Sequence, residues 1–171
     1  LFWGVTAGSV DSLVANYTRL NKFRHQDDYT PGGVNVRPNR ATIVYTNLIR
    51  QHFKPAKPIV LGGIEASLRR IAHYDYWDDA VRRSLLFDAK ADILAYGMAE
   101  KTVLELAQAF QASSDWRKIT GLCYIASIPA GENILLPSFA EVAADKNSFR
   151  RMSVLFDKHA DHLSPGFIQQ H

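Results

Sequence analysis

The chain has 171 residues, of which 47% are hydrophobic and 22% are charged, and its formal net charge is +3. This composition is typical of a globular domain with a buried core, and the length suits one domain better than two. No apolar stretch approaches the roughly 18 residues of a membrane-spanning helix, so the sequence predicts no membrane segment. The single cysteine, Cys123, excludes a disulfide within the chain. Low cysteine usage fits a reducing compartment, and we expect a cytoplasmic protein.

Both ends of the chain suggest a piece of a longer protein. The first residue is Leu1 rather than methionine, and residues 164–171 resemble the start of a linker. We therefore expect a single α/β domain over residues 1–163, followed by linker from residue 164.

The N-terminal third predicts a strand, a helix, a polar loop and a second helix. Residues 1–5 form an apolar strand, and Ser9 is placed to cap the helix that follows. Residues 21–39 are polar and rich in turn residues. Asn39 then predicts the cap of a helix that ends near Phe53.

The middle of the chain predicts a strand over 58–61, a Gly-Gly turn at Gly62 and Gly63, and a helix. Three apolar residues recur at helical spacing after the turn and predict this helix: Ile64, Leu68 and Ile71. A further helix is predicted over 80–87.

The remainder continues the alternation of strand and helix. Strands are predicted over 92–96 and 119–126, with a helix between them. A turn at 130–133 predicts a hairpin that returns through 134–136, and a last helix begins at Ser138. Alternating strands and helices predict an α/β fold with a mostly parallel sheet flanked by helices and one hairpin near the C-terminal end.

The glycines that follow the predicted strands lie where such sheets bind ligands, outside the carboxyl ends of the strands. These are Gly8, the pair Gly62 and Gly63, and Gly97. Glycine allows a close backbone approach, and a helix N-terminus after the turn suits phosphate or carboxylate. A packing turn at the glycine pair, and structural capping by Glu100 after Gly97, are the alternatives.

The segment 73–79 combines aromatic and acidic residues but matches no metal-binding spacing. It predicts an interaction surface, with Asp79 and Arg83 as an ion pair on a helix. No catalytic or metal-ligating residue is predicted. Two basic clusters, at 19–40 and 69–83, leave nucleic-acid contact as an alternative to a solvated or docking face.

Several runs resemble the YgiQ family of radical S-adenosylmethionine (SAM) proteins. The most specific is Gly-Gly-Ile-Glu-Ala-Ser-Leu-Arg-Arg at 62–70. The others lie at 4–8, 11–12, 29–33, 37–41, 72–77, 81–84, 90–92 and 96–98.

The resemblance implies a Rossmann-like domain of the cobalamin-binding type, placed before a radical SAM barrel in the same polypeptide. It implies a 4Fe–4S cluster and SAM in the full-length protein, whose cysteine motif C-x-x-x-C-x-x-C is absent from this chain. This chain alone is then not catalytic, and it shapes or gates the active site of its own barrel. A module for a small anionic ligand (a nucleotide or corrinoid) and a nucleic-acid contact domain are the alternatives. The residues expected to face a ligand or the barrel are Gly62, Gly63, Glu65, Ser67, Arg69, Arg70, His73, Tyr74, Asp75, Gly97 and Glu100.

Overall fold

The computed structural model describes residues 1–55, 57–127, 132–159 and 166–171. In chain order the elements are β1 (Trp3–Val5), α1 (Ser12–Asn16), α2 (Ala41–His52), β2 (Ile59–Leu61), α3 (Gly63–Leu68), β3 (His73–Asp75), β4 (Ala80–Arg82), α4 (Leu85–Ala89), β5 (Ile93–Ala95), α5 (Glu100–Ala112), a 3₁₀ helix (Trp116–Lys118), β6 (Leu122–Tyr124), β7 (Asn133–Leu135), α6 (Phe139–Ala144), α7 (Lys146–Lys158) and β8 (Gly166–Ile168). Among these described elements, no helix has both the length and the apolar character needed to cross a membrane.

The first compact unit comprises Leu1–Arg70 and Leu85–Ile125 and is built on a four-stranded sheet. The strand order is β1-β2-β5-β6, with β1, β2 and β5 parallel and β6 antiparallel to β5. Strands β2 and β5 are buried along their whole length, as expected of parallel strands covered on both faces. Helices α2, α3 and α4 pack on one face, and α5 with the 3₁₀ helix packs on the other. The predicted α/β fold with a mostly parallel sheet is confirmed.

The second unit comprises Ile71–Ser84 and Ala126–His171. It holds the antiparallel pair β3–β4, the parallel pair β7–β8, and helices α6 and α7. Its core is a separate apolar cluster around Ala72, Leu136, Val142 and Met152. Strand β8 falls within the segment predicted as linker, and the prediction of one domain over residues 1–163 stays a prediction.

The strands expected to form a C-terminal hairpin pair elsewhere. Strand β6 joins β5 in the first unit, and β7 pairs in parallel with β8. Residues 130–131 of the expected turn lie outside the described residues. A C-terminal strand pair is present, but its partners are distant in sequence, and local turn signals carry no information on such pairing.

The predicted helix over 80–87 is wrong. Residues 80–82 form β4 in a hairpin with β3, and α4 begins only at Leu85. Asp79 lies in the turn with a φ of 48°, so the helical spacing on which an ion pair with Arg83 was predicted is absent. The last predicted helix is likewise divided into two helices, α6 and α7. The second begins after Asp145, whose side chain caps it by accepting a hydrogen bond from the backbone N–H of Ser148.

Candidate functional site

Three loops meet at the carboxyl edge of the parallel strands. They follow β1 at Thr6, β2 at Gly62 and β5 at Tyr96. The position of a Cβ on Gly62 lies 3.9 Å from the carbonyl oxygen of Ala95, and that of Gly63 lies 3.8 Å from the carbonyl oxygen of Gly8. The sheet thus brings the glycines that follow β1 and β2 to one edge, beside the end of β5, as the sequence predicts.

Gly63 serves close packing at this edge. Its φ is +80°, a left-handed conformation that favours glycine, and a Cβ there would overlap the Oγ1 atom of Thr6. Both the backbone conformation and the contact with Thr6 therefore require glycine at this position.

Glu65 is buried beneath the edge, with 2% of its surface exposed. Its Oε2 atom accepts hydrogen bonds from the backbone N–H of Ser12 at 2.8 Å and from the Ser12 hydroxyl at 2.5 Å. Its Oε1 atom accepts from the backbone N–H of Thr42 at 3.2 Å and from the Thr42 hydroxyl at 2.5 Å. Buried carboxylates require such donors, and here both oxygens are satisfied within the protein.

The Glu65 carboxylate joins the starts of three helices. Ser12 begins α1, Thr42 is the second residue of α2, and Glu65 lies in the first turn of α3. The Ser12 hydroxyl also accepts from the backbone N–H of Ala41 at 3.0 Å. Glu65 thus fixes α3 against its neighbours, and both of its carboxylate oxygens are bonded inside the domain.

Arg69 is held by Asp11. One carboxylate oxygen of Asp11 caps α1 by accepting from the backbone N–H groups of Leu13 at 3.0 Å and Val14 at 3.2 Å. The other accepts a hydrogen bond from the Arg69 guanidinium, and both side chains are largely buried. The positive charge of Arg69 is therefore paired with the Asp11 carboxylate inside the domain. Asp11, rather than the expected Ser9, is the cap of this helix.

The polar loop before α2 is also tied to this network. The side-chain amide of Asn16 donates to the backbone carbonyl of Arg37 at 3.0 Å and to Oδ1 of Asn39 at 2.7 Å. Asn39 in turn donates to the hydroxyl of Tyr17 at 2.9 Å. Asn39 is thus not the predicted helix cap; that position is Arg40, in a left-handed conformation.

The sequence missed Asp11, Ser12, Asn16 and Thr42 as partners of the predicted site residues. Asp11 and Ser12 lie inside a run that carries the family resemblance, which is the one signal that could have found them. Their long-range contacts with α3 appear only in the fold.

Ser67 links two loops of the edge. Its hydroxyl donates to the carbonyl oxygen of Gly63 at 2.9 Å and accepts from the backbone N–H of Gly97 at 3.1 Å.

Arg70 lies over the ring of Tyr96, with its guanidinium carbon 4.9 Å from the ring centre, and donates to the backbone carbonyl of Ser67. Ser67, Arg70 and Gly97 are thus brought together as neighbours. Glu100 is exposed in the first turn of α5.

Burial raises the pKa of the Cys123 thiol to about 11 and also raises the pKa of Tyr96, with the nearby Arg70 charge opposing both shifts. At neutral pH Cys123 is therefore a protonated thiol, as expected of a cysteine packed against the core. Iron–sulfur clusters are held by several thiolates, so the residues of this chain do not fit the ligand set of a cluster.

The other predicted site residues belong to the second unit. Asp75 is buried and accepts from the backbone N–H groups of Trp77 at 3.0 Å and Asp78 at 3.2 Å, which shapes the turn between β3 and β4.

The Tyr74 hydroxyl donates to Asp79 at 2.5 Å, and this hydrogen bond raises the Tyr74 pKa. His73 starts β3, and its ring Nδ1 lies 3.2 Å from the carbonyl oxygen of Ile71. Within the described ranges, no group of three or more His, Cys, Asp or Glu residues is arranged to hold a metal ion.

Helix α3 directs two of its larger apolar side chains outward. Ile64 is 48% exposed and Leu68 is 62% exposed, whereas Ala66 is fully buried. The cause is Glu65, since its four hydrogen bonds require the side of the helix that carries Glu65 and Ala66 to face inward. Met98, in the neighbouring loop, is 93% exposed. We call Ile64, Leu68 and Met98 the rim patch.

Comparison with known proteins gives one family and many relatives. The Radical SAM N-terminal family model matches residues 1–171. A UPF0313 protein of Fusobacterium nucleatum is 55% identical over 151 residues, which cover 87% of this chain and 27% of that protein. A UPF0313 protein of Thermotoga maritima is 56% identical over 153 residues, with the same coverage of 87% and 27%. A third, from Geobacter sulfurreducens, is 46% identical over 179 residues, covering 100% of this chain and 29% of that protein.

The chain thus spans less than a third of the length of these relatives. No solved structure matches it.

Proposed function

We propose, since the chain belongs to the YgiQ (UPF0313) family of radical SAM proteins, that it is the N-terminal accessory domain of a radical SAM enzyme. In this role it packs on a barrel domain of the same polypeptide and shapes or gates access to the barrel's active site. The match to the Radical SAM N-terminal family over the whole chain carries this proposal.

The length of the relatives supports the assignment of catalysis to another part of the full protein. The chain covers 27% of the Fusobacterium protein, so most of that polypeptide lies outside the region that matches this chain. The 4Fe–4S cluster and SAM are assigned to that remainder, because this chain has one cysteine and its residues do not fit a cluster. The reaction and its substrate therefore belong to the barrel.

The contribution of this chain is a fixed surface at the carboxyl edge of its sheet. Glu65, Ser67 and Arg69 each make hydrogen bonds within the domain, and together they hold the loops after β2 and β5 and the start of α1. Such a surface is formed before it meets a partner, which favours docking without a cost in ordering flexible loops.

The same contacts weigh against a nucleotide or corrinoid module. Glu65 is buried and Arg69 is paired with Asp11, so neither side chain is left to recognise an anion at the edge. Helix α3 has six residues, and a helix this short offers little dipole to a phosphate.

The test uses the full-length protein. It is reconstituted anaerobically with iron and sulfide, given reductant and SAM, and assayed for 5′-deoxyadenosine, the product of reductive SAM cleavage. We expect 5′-deoxyadenosine to form, and none to form in the same protein left without iron and sulfide. Absence of the product despite a loaded cluster, also after addition of cell extract as a source of substrate, would refute the proposal.

A further inference from the structure

The rim patch comes from two segments, α3 and the loop after β5, which are joined by a hydrogen bond. Ile64 and Leu68 are four residues apart on α3 and so share a face of the helix. Ser67 lies beside them and bonds to the backbone of Gly97, the residue before Met98. Each of the three apolar residues is therefore next in sequence to a residue of the hydrogen bonds that Ser67 makes with Gly63 and Gly97.

The exposure of these side chains is built into the domain. Turning Ile64 and Leu68 toward the core would rotate Glu65 away from Ser12 and Thr42, and would leave a buried charge without its donors. The polar network thus holds α3 with its larger apolar residues directed outward, while small Ala66 packs inside.

Exposed apolar residues grouped at one place are typical of a surface that another protein part covers. Most of the length of the relatives lies outside the region that this chain matches, so a large part of the same polypeptide is available to cover this surface. The flexible thioether side chain of Met98 adapts to the shape of a partner surface.

We propose that Ile64, Leu68 and Met98 form the apolar centre of the contact between this domain and the barrel of the full-length polypeptide. The inference rests on the proposed function and names the surface by which that function operates. The occupant is an apolar face of the remaining chain, surrounded by polar contacts in which Arg70 and Glu100, close in sequence to the patch, are placed to take part. Such an arrangement, with an apolar centre and a polar margin, is usual for interfaces.

The test is photo-crosslinking in the full-length protein. A benzoylphenylalanine replaces Met98, whose exposure of 93% leaves room for the larger side chain. The matched control replaces Gln111, which is exposed in the last turn of α5. Parallel strand–helix connections place that turn at the far edge of the sheet from the patch.

We expect the probe at position 98 to form an intramolecular crosslink, mapped by mass spectrometry to a residue beyond position 171, and the probe at position 111 to form none. Crosslinks at position 98 that join two copies of the protein, or that are no more frequent than those at position 111, would overturn the inference. A second variant, Leu68→Arg, should increase the deuterium uptake of the α3 face in the full-length protein. Unchanged uptake relative to Gln111→Arg would also count against the contact.

The two proposals fail separately in these experiments. Crosslinking and deuterium uptake do not depend on SAM cleavage, so a protein that forms 5′-deoxyadenosine without the position 98 crosslink refutes the interface alone. A protein with the crosslink and a loaded cluster but no product refutes the radical SAM function alone.

Discussion

Glu65, in the most specific run of the family resemblance, is a single buried residue that stabilises the fold through hydrogen bonds. A carboxylate buried away from water is tolerated when hydrogen-bond donors replace its hydration, and Ser12 and Thr42 supply four of them. Glu65 was among the residues predicted to face a ligand or the barrel, and the structure places its side chain inside the domain. Acidic residues are rarely buried, so composition and spacing favour an exposed Glu65, and only the fold shows its partners.

Replacement of Glu65 by glutamine should destabilise the chain strongly. The amide nitrogen would face donors in place of one carboxylate oxygen, and each buried donor left without an acceptor costs about 1–3 kcal/mol. We expect urea denaturation to show a loss of at least about 2 kcal/mol in the free energy of unfolding. Glu100→Gln is the control, because Glu100 is exposed, and its effect should stay within about 1 kcal/mol. Equal effects of the two substitutions would contradict the role given to Glu65.

At the scale of elements, buried strands were predicted well because parallel strands covered on both faces consist of short apolar runs in the sequence. Strands β2 and β5 and helices α2 and α5 all fall within their predicted segments. The orientation of α3 was not predictable in this way. Its apolar spacing indicates a helix, but the burial of Glu65 decides which face turns inward.

The turn between β2 and α3 makes a sharp prediction about Gly63. Gly63→Ala introduces a side chain at a φ of +80° and against Oγ1 of Thr6. A left-handed conformation in a residue other than glycine costs about 1–3 kcal/mol, and we expect at least this loss in urea denaturation.

Gly4→Ala is the matched control. Gly4 lies in β1, and a Cβ there meets nothing within 4 Å. Its effect should stay within about 0.5 kcal/mol, as for most substitutions at open positions. A Gly63→Ala variant as stable as Gly4→Ala would show that the turn does not require glycine.

The start of α6 predicts a pH dependence. Glu141 accepts from the backbone N–H of Ser138 at 2.7 Å and from its hydroxyl at 2.8 Å, and these hydrogen bonds lower the Glu141 pKa. A carboxyl whose folded pKa lies below its unfolded value stabilises the fold above the unfolded value, and this contribution is lost as the pH falls through the folded pKa.

An NMR titration should therefore place the Glu141 midpoint below its ordinary value of 4.5. Ser138→Ala removes the hydroxyl but keeps the backbone N–H, so the midpoint should rise part of the way, whereas Ser138→Thr, which keeps a hydroxyl, should leave it low. A midpoint that does not move in Ser138→Ala would show that the hydroxyl does not lower the Glu141 pKa.

At the scale of the whole molecule, the sequence predicted the family and the α/β class, and relatives and structure confirm both. The pairing of β7 with β8 was missed because strands far apart in the chain carry no local signal of their contact. The candidate site residues between positions 62 and 75 are close in sequence, yet they divide between two compact units. Glu65, Ser67 and Arg69 belong to the first unit, and His73 and Asp75 to the second.

In the proposed arrangement, this domain acts through the rim patch on a barrel that holds the cluster elsewhere in the polypeptide. The most direct measurement compares iron content and the rate of 5′-deoxyadenosine formation in the full-length protein, in Leu68→Arg and in Gln111→Arg. We expect equal iron content in all three proteins, with a rate at least about tenfold lower only in Leu68→Arg, because an unpaired charge in an apolar contact disrupts that contact. Equal rates in the three proteins, or a loss of iron in Leu68→Arg that matches its loss of rate, would contradict an action of this domain on the barrel through the rim patch.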